Sequence, residues 1–173
     1  MFTVAVVGVA LVAGAAGCGS STRLLRSAAV GQPAPPFRLP NVRESEPDVS
    51  LTDVAGKPVV INFWASWCVP CRKEMPAFEA VHRRRGDRVA FFGIDRQDDR
   101  SDALRFLGRT GVSYPSGYDP DGRLDTSYRL RGMPTTVVVG VDGLVVEHVS
   151  GPMSEDRLDQ VLDRAASARR KRS

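Results

Sequence analysis

The stretch Val59-Val-Ile-Asn-Phe-Trp64-Ala-Ser-Trp-Cys68-Val-Pro-Cys71 decides the fold. Its first six residues form a continuous run of β-branched and aromatic residues around the single amide Asn62, which suits a central strand buried on both faces. From about Cys71 to Arg85 the pattern changes to a helical one. Met75, Phe78 and Val81 recur at helical spacing, and Arg83, Arg84 and Arg85 crowd the exposed end. Two thiols, Cys68 and Cys71, therefore sit where a strand hands over to a helix. Unpaired N–H groups and the helix dipole favour negative charge at that point. Such a setting lowers a cysteine pKa from about 8.5 into the range of roughly 3.5–7.5, and the thiolate is the reactive form. A second thiol three residues on can close or open a disulfide. The pair could instead be a structural bridge or half of a zinc site, but no second C-x-x-C and no suitably spaced His pair completes a tetrahedron. The chemistry is dithiol redox.

Outward from that stretch, Arg88 to Asp95 reads as a strand and Ser101 to Thr110 as a helix, with Ser101 as its N-cap. Asp95 to Arg100 (DRQDDR) reads as a solvated loop. Tyr114 to Asp121, broken by Pro115, Gly117 and Pro120, is a short edge strand and loop, and Leu124 to Leu130 a brief helix. Thr135 to Val139 and Leu144 to Val149 are strands joined by the turn Val141-Asp142-Gly143. Ser154 to about Ala168 is the closing helix. On the N-terminal side, Pro36 to Leu39 and Val49 to Leu51 form a hairpin, and Gly56-Lys-Pro58 a turn. A β-α-β half followed by a β-β-α half gives an α/β fold with a mixed central sheet flanked by helices. C-x-x-C beside a β-α-β pattern is a thioredoxin-like signal.

The 173 residues suffice for one domain with a full core, and the formal charge is +4. Arg169, Arg170, Lys171 and Arg172 account for all of that excess, so residues 169–173 are a basic, solvated tail free to touch anionic headgroups. No basic stripe interleaved with aromatics exists, which argues against a nucleic-acid partner. The third cysteine, Cys18, ends a charge-free stretch from Phe2 to Gly17 that is short for a bilayer span and reads as an export signal. Ala15-Ala16-Gly17-Cys18 resembles a bacterial lipobox, which implies acylation of Cys18 and a lipid anchor. Cleavage near Ala13 to Ala15, or retention as an anchor, are the alternatives. Each places the domain outside the cytoplasmic membrane, where disulfides persist. The expected organisation is a signal at 1–18, a flexible tether at 19–33, the folded domain at 34–168 and the tail.

Asn62-Phe-Trp-Ala-Ser-Trp-Cys-Val-Pro-Cys71, Pro76 and Gly132-Met-Pro-Thr-Thr136 together resemble the thioredoxin superfamily. Glu74, the N-terminal hairpin and an insertion between Asp95 and Asp121 narrow the resemblance to its membrane-tethered ResA/TlpA-type reductases, over roughly Gly31 to Ala168. The resemblance implies a thioredoxin fold and an exposed nucleophile, Cys68, resolved by a packed Cys71. It also implies a cis Pro134 facing the disulfide, with the Met133 backbone left free to pair with a client chain. Trp67, Val69 and Pro70 flank the thiols on the client side, and Trp64 packs in the core. Thioredoxins proper carry a buried Asp where this chain has Asn62, an amide that takes no proton. Glu74 lies one turn beyond Cys71 on the same helix face, and in the resembled reductases it is buried near the thiols, as a general acid/base. Pro76 matches the helix kink, while His82 and His148 are packing or surface residues.

The reading is a monomeric thiol–disulfide oxidoreductase needing no cofactor or metal. By the resemblance it reduces exported client disulfides, such as those of apocytochrome c or a copper-site protein, and is itself restored by a membrane thiol carrier. The same residues run backwards would make an oxidant of exported proteins. A Cu(I) metallochaperone is the reading of another class, since two soft thiolates suit Cu(I). The resembled copper chaperones, however, space their cysteines by three residues and add a His. A thiol peroxidase would carry Thr where Ala65 stands.

Overall fold

The computed structural model describes residues 27–167. The signal, Cys18, most of the expected tether and the basic tail lie outside the described residues.

Strand β3 (Val59–Trp64) is buried along its whole length. Its alternation sends Val60 and Trp64 to one face of the sheet and Val59, Ile61 and Phe63 to the other. It pairs in parallel with β4 (Ala90–Arg96), in register from Val59 with Ala90 to Trp64 with Asp95. β4 pairs in turn with β5 (Ser116–Asp119) at the edge. On its other side β3 runs antiparallel to β6 (Thr135–Val139), and β6 to β7 (Val145–Ser150), giving the order β5-β4-β3-β6-β7. A separate hairpin joins β1 (Arg38–Leu39) and β2 (Val49–Ser50), and Leu51 already opens a 3-10 turn. Gly143, at φ 77, makes the β6–β7 turn that an L side chain would strain.

Helices α1 (Val69–Arg85), α2 (Arg100–Thr110) and α3 (Glu155–Ser167) flank the sheet. All three bury their apolar residues on the same face, where Met75, Phe78, Phe106, Leu158 and Leu162 belong to one core cluster with Trp64. Trp64 stacks on Phe106 with ring centroids 5.2 Å apart. Gly93 of β4 permits this, because a Cβ there would lie 2.6 Å from both the Trp64 indole nitrogen and Ser116 Oγ. The opposite face is covered by the N-terminal segment and by the chain after β5, through Phe37, Leu39, Leu124 and Tyr128. The β3-α1-β4 and β6-β7-α3 halves match expectation, with α2 and β5 as the insertion between them.

Four local expectations change. Leu124 to Leu130 is a chain of turns, not a helix. One α-turn forms from Leu124 O to Tyr128 N, and the next residue, Arg129, at φ 53, closes it by turning left-handed. The N-cap of α2 is Asp99, whose carboxylate accepts from the Ser101 N–H at 2.8 Å; Ser101 lies inside the helix. The tether ends earlier than residue 33. Ala28 is buried and donates its N–H to Ser127 O, Gly31 N donates to Val145 O, and Pro33 bridges Leu144. Finally, Asp95 to Arg100 is not a solvated loop, because Asp95 belongs to β4 and is fully buried.

Candidate active site

Helix α1 begins two residues earlier than its apolar pattern indicates, because Val69 and Pro70 form its first turn and Cys68 is the N-cap. Proline fits there since its missing N–H would have no intrahelical partner. The first N–H with a partner is that of Cys71, donated to Cys68 Sγ at 3.2 Å. Cys68 and Cys71 are joined as a disulfide, with their Cα atoms 5.3 Å apart.

Cys68 is not the exposed residue expected. Only 4% of its surface meets solvent, because the disulfide turns its sulfur inward to Cys71, among Trp64, Met75 and Met133. Cys71 meets none, so what opening exists belongs to Cys68. The surroundings of that opening are apolar and outward-facing: Trp67 is 57% and Val69 61% exposed, and Pro70 is exposed beside them. The Trp67 indole N–H is held by Gln97 O at 3.2 Å.

The Met133–Pro134 peptide bond is cis. Pro134 O accepts from Gly151 N at 2.8 Å and Thr135 Oγ1 donates to Gly132 O at 2.7 Å, which fixes both sides of the bend. Among the described residues the Met133 N–H and carbonyl take part in no hydrogen bond, and its side chain packs on the cluster containing Cys68.

Glu74 lies on the buried side of α1 with Cys71 and is 4% exposed. One carboxylate oxygen accepts from Asn62 Nδ2 at 2.8 Å, the other from the Met153 N–H at 2.6 Å. Burial raises its pKa from 4.5 to about 7, against the opposing pull of those two hydrogen bonds. A carboxyl poised there exchanges its proton near neutral pH. Asn62, the amide in the central strand, thus carries no proton itself but orients the group that does. A groove of about 680 Å³ runs along Pro70, Lys73, Glu74, Ala77 and Met153. Met153 was invisible to sequence reasoning, and its only signal is the Gly151-Pro152 break that ends β7 and swings the chain back toward α1. Among the described residues no group of three His, Cys, Asp or Glu side chains is placed to hold a metal ion. His82 packs against Phe91 and Tyr114, and His148 Nε2 bonds Tyr128 O, both away from the disulfide.

A C-x-x-C disulfide at a strand-to-helix junction and a cis Met133–Pro134 bond whose Met133 packs on the same cluster are both features the sequence resemblance implies. A family model described as Redoxin matches residues 29–162. The chain belongs to the Redoxin family. The chain is 32% identical over 139 residues to the thiol-disulfide oxidoreductase ResA of Oceanobacillus iheyensis, covering 78% of this chain and 71% of that one. It is 33% identical over 138 residues to the thiol:disulfide interchange protein DsbE of Xylella fastidiosa, covering 79% and 69%. Among solved structures, a DsbE-like protein described as a thiol:disulfide interchange protein from Chlorobium tepidum superimposes with a TM-score of 0.73 at 29% identity, over 80% of this chain and 99% of that one. The chain is a thiol–disulfide oxidoreductase of the ResA/DsbE type, and its Cys68–Cys71 pair fits the C-x-x-C of that chemistry.

Proposed function

We propose that the enzyme works as a reductase of disulfides in exported client proteins, outside the cytoplasmic membrane, with Cys68 as nucleophile, Cys71 as resolving thiol and Glu74 as general acid/base. The observation that carries this reading is the sparse support around the sulfurs. Cys68 Sγ accepts one N–H, Pro70 supplies none, and Cys71 is buried one turn from a carboxyl. A disulfide becomes strongly oxidising when its reduced form is stabilised. One N–H favours a reactive thiolate at Cys68, and nothing near Cys71 favours a second charge. This balance supports a low potential and electron flow toward the client.

In the forward reaction the Cys68 thiolate attacks one client sulfur. A Cys68–client mixed disulfide forms, the client S–S bond breaks, and its other sulfur leaves as a thiolate that takes a proton from water. Cys71 then gives its proton to Glu74 and attacks Cys68 Sγ. The Cys68–Cys71 bond forms, the second client sulfur is released, and the client has gained two electrons. Met133 pairs with the extended client backbone, and Trp67, Val69 and Pro70 form the apolar rim it lies on. A membrane thiol carrier returns two electrons to the disulfide. Apocytochrome c or a copper-site protein is the proposed client. Acylation at Cys18 is the proposed anchor, and among the described residues no helix is long and apolar enough to cross a membrane.

The test is equilibration of Cys68–Cys71 with a glutathione or thioredoxin couple. A potential of about −250 mV or lower supports the reductase, whereas one near the roughly −120 mV of a strong oxidant reverses the direction. A Cys71→Ser variant, which stalls at the mixed disulfide, then captures the client for identification.

A further inference from the structure

We propose that the Asp98 carboxylate, seated beside the buried Asp95 carboxyl, is a positioning group for the loop that presents Trp67 and Cys68. The inference concerns the same site and rests on the oxidoreductase reading, although its geometry does not depend on the direction of electron flow.

Asp98 reaches across from the end of β4 to the loop before the helix. Its Oδ2 accepts the Ser66 N–H at 2.5 Å and its Oδ1 accepts the Ser66 hydroxyl at 2.9 Å. The preceding residue, Gln97, holds the Trp67 indole through its carbonyl at 3.2 Å and adopts φ 51, a left-handed conformation that non-glycine residues rarely take. Three hydrogen bonds from two adjacent residues thus grip the two positions immediately before Cys68. The gripping segment is itself anchored. Tyr118 OH donates to Asp98 O at 3.1 Å, and Arg100 lies 4.2 Å over the Tyr118 ring while its guanidinium donates to the carbonyls of Asn41 and Val42.

Asp95 explains how two acids coexist there. It is fully buried, and neither of its oxygens receives a hydrogen bond among the described residues. Asp98, whose carboxylate accepts from Ser66, is the neighbouring side chain that acts most on Asp95. The pair is satisfied when Asp95 keeps its proton and donates it to Asp98. The groups facing Asp95 agree. Asp98 from the loop and Asp119 from β5 oppose its ionisation, Arg100 from α2 favours it, and β3 places Trp64 alongside, with an unpaired indole nitrogen. Burial, with the Asp98 charge next in size, pushes the Asp95 pKa up to about 9. The grip is therefore complete below that pH and loosens as pH rises through it, when a second negative charge faces Asp98.

The experiment compares the full-length wild type with Asp98→Ala, Ser66→Ala and Asp95→Asn. It reads kcat/KM for insulin disulfide reduction from pH 6 to 10 and hydrogen exchange of the Ser66 amide. Asp98→Ala should lower kcat/KM about tenfold and speed Ser66 exchange by at least as much, the scale for losing two hydrogen bonds. Ser66→Ala, which removes one bond and no buried group, should lower kcat/KM by a smaller factor. The wild type should lose kcat/KM through pH 9. Asp95→Asn, whose amide can donate at every pH, should move that fall out of the range. The proposal is overturned if Ser66→Ala and Asp98→Ala keep the wild-type kcat/KM profile, or if Asp95→Asn leaves the alkaline fall in place. Should Asp98→Ala fail to fold, the other two variants decide. If the wild type reduces no disulfide at all, the failure belongs to the oxidoreductase reading, and Ser66 exchange still tests the grip.

Discussion

Replacing Glu74 by Gln removes the titrating group that lies one turn beyond Cys71 on the buried side of α1, and the consequence can be worked out. In the folded protein the Glu74 carboxyl titrates near 7, and its ordinary value is 4.5. A raised acid pKa means the folded state holds the proton more tightly than the unfolded chain. The proton's contribution to stability is present below pH 4.5 and is lost as pH rises, because the unfolded chain ionises first. Above about pH 7 both states are ionised and the loss is complete. A gap of about two and a half units at about 1.4 kcal/mol each gives a loss of about 3–4 kcal/mol between pH 4.5 and 8. Gln does not titrate, so the stability difference between wild type and Glu74→Gln should change by that amount across the range. Asp95, present in both proteins, cancels in the comparison. Gln also offers one acceptor where Asn62 and Met153 each donate, adding a pH-independent penalty of about 1–3 kcal/mol. Urea unfolding of the oxidised proteins at half-unit pH intervals measures both. Parallel stability–pH curves for the two proteins would refute the buried, elevated carboxyl and, with it, the acid/base role.

Two further outcomes follow from the same geometry. Phe106→Ala, which removes the ring stacked on Trp64 in a fully buried position, should cost about 3–5 kcal/mol by urea unfolding. Trp67→Ala, at an exposed position, should change stability by less than about 1 kcal/mol while raising KM for a protein disulfide severalfold; an unchanged KM would remove Trp67 from the client rim.

Legibility in the sequence followed the range of the forces involved. Val59–Trp64 and Thr135–Val139 were readable to the residue because runs dominated by β-branched and aromatic residues suit a strand buried on both faces. The shared buried side of Cys71 and Glu74 was readable because helix spacing fixes which neighbours lie together, whereas the inward turn of Cys68 was not. Leu124–Leu130 was misread, since its apolar spacing is that of a helix while Arg129, turning left-handed, ends the structure after one turn. The charged run from Asp95 to Arg100 was misread for a different reason. Its charges are answered by Ser66, Asn41 and Val42, residues 32 to 59 positions away. No local pattern announces such partners. The Met153 N–H that fixes Glu74 lies 79 residues away and comes from the backbone, so no side-chain identity could have pointed to it.

The account turns on whether the reduced Cys68 sulfur, capping α1 beneath the Cys71 N–H, reacts as a thiolate at neutral pH. Iodoacetamide labelling of the reduced protein at pH 7, with the modified residue located by mass spectrometry, reads this directly. Cys68 should label faster than a cysteine in an unstructured peptide, with Cys71 largely spared. If neither thiol outpaces the peptide, or if Cys71 labels first, the assignment of nucleophile and resolving thiol is wrong.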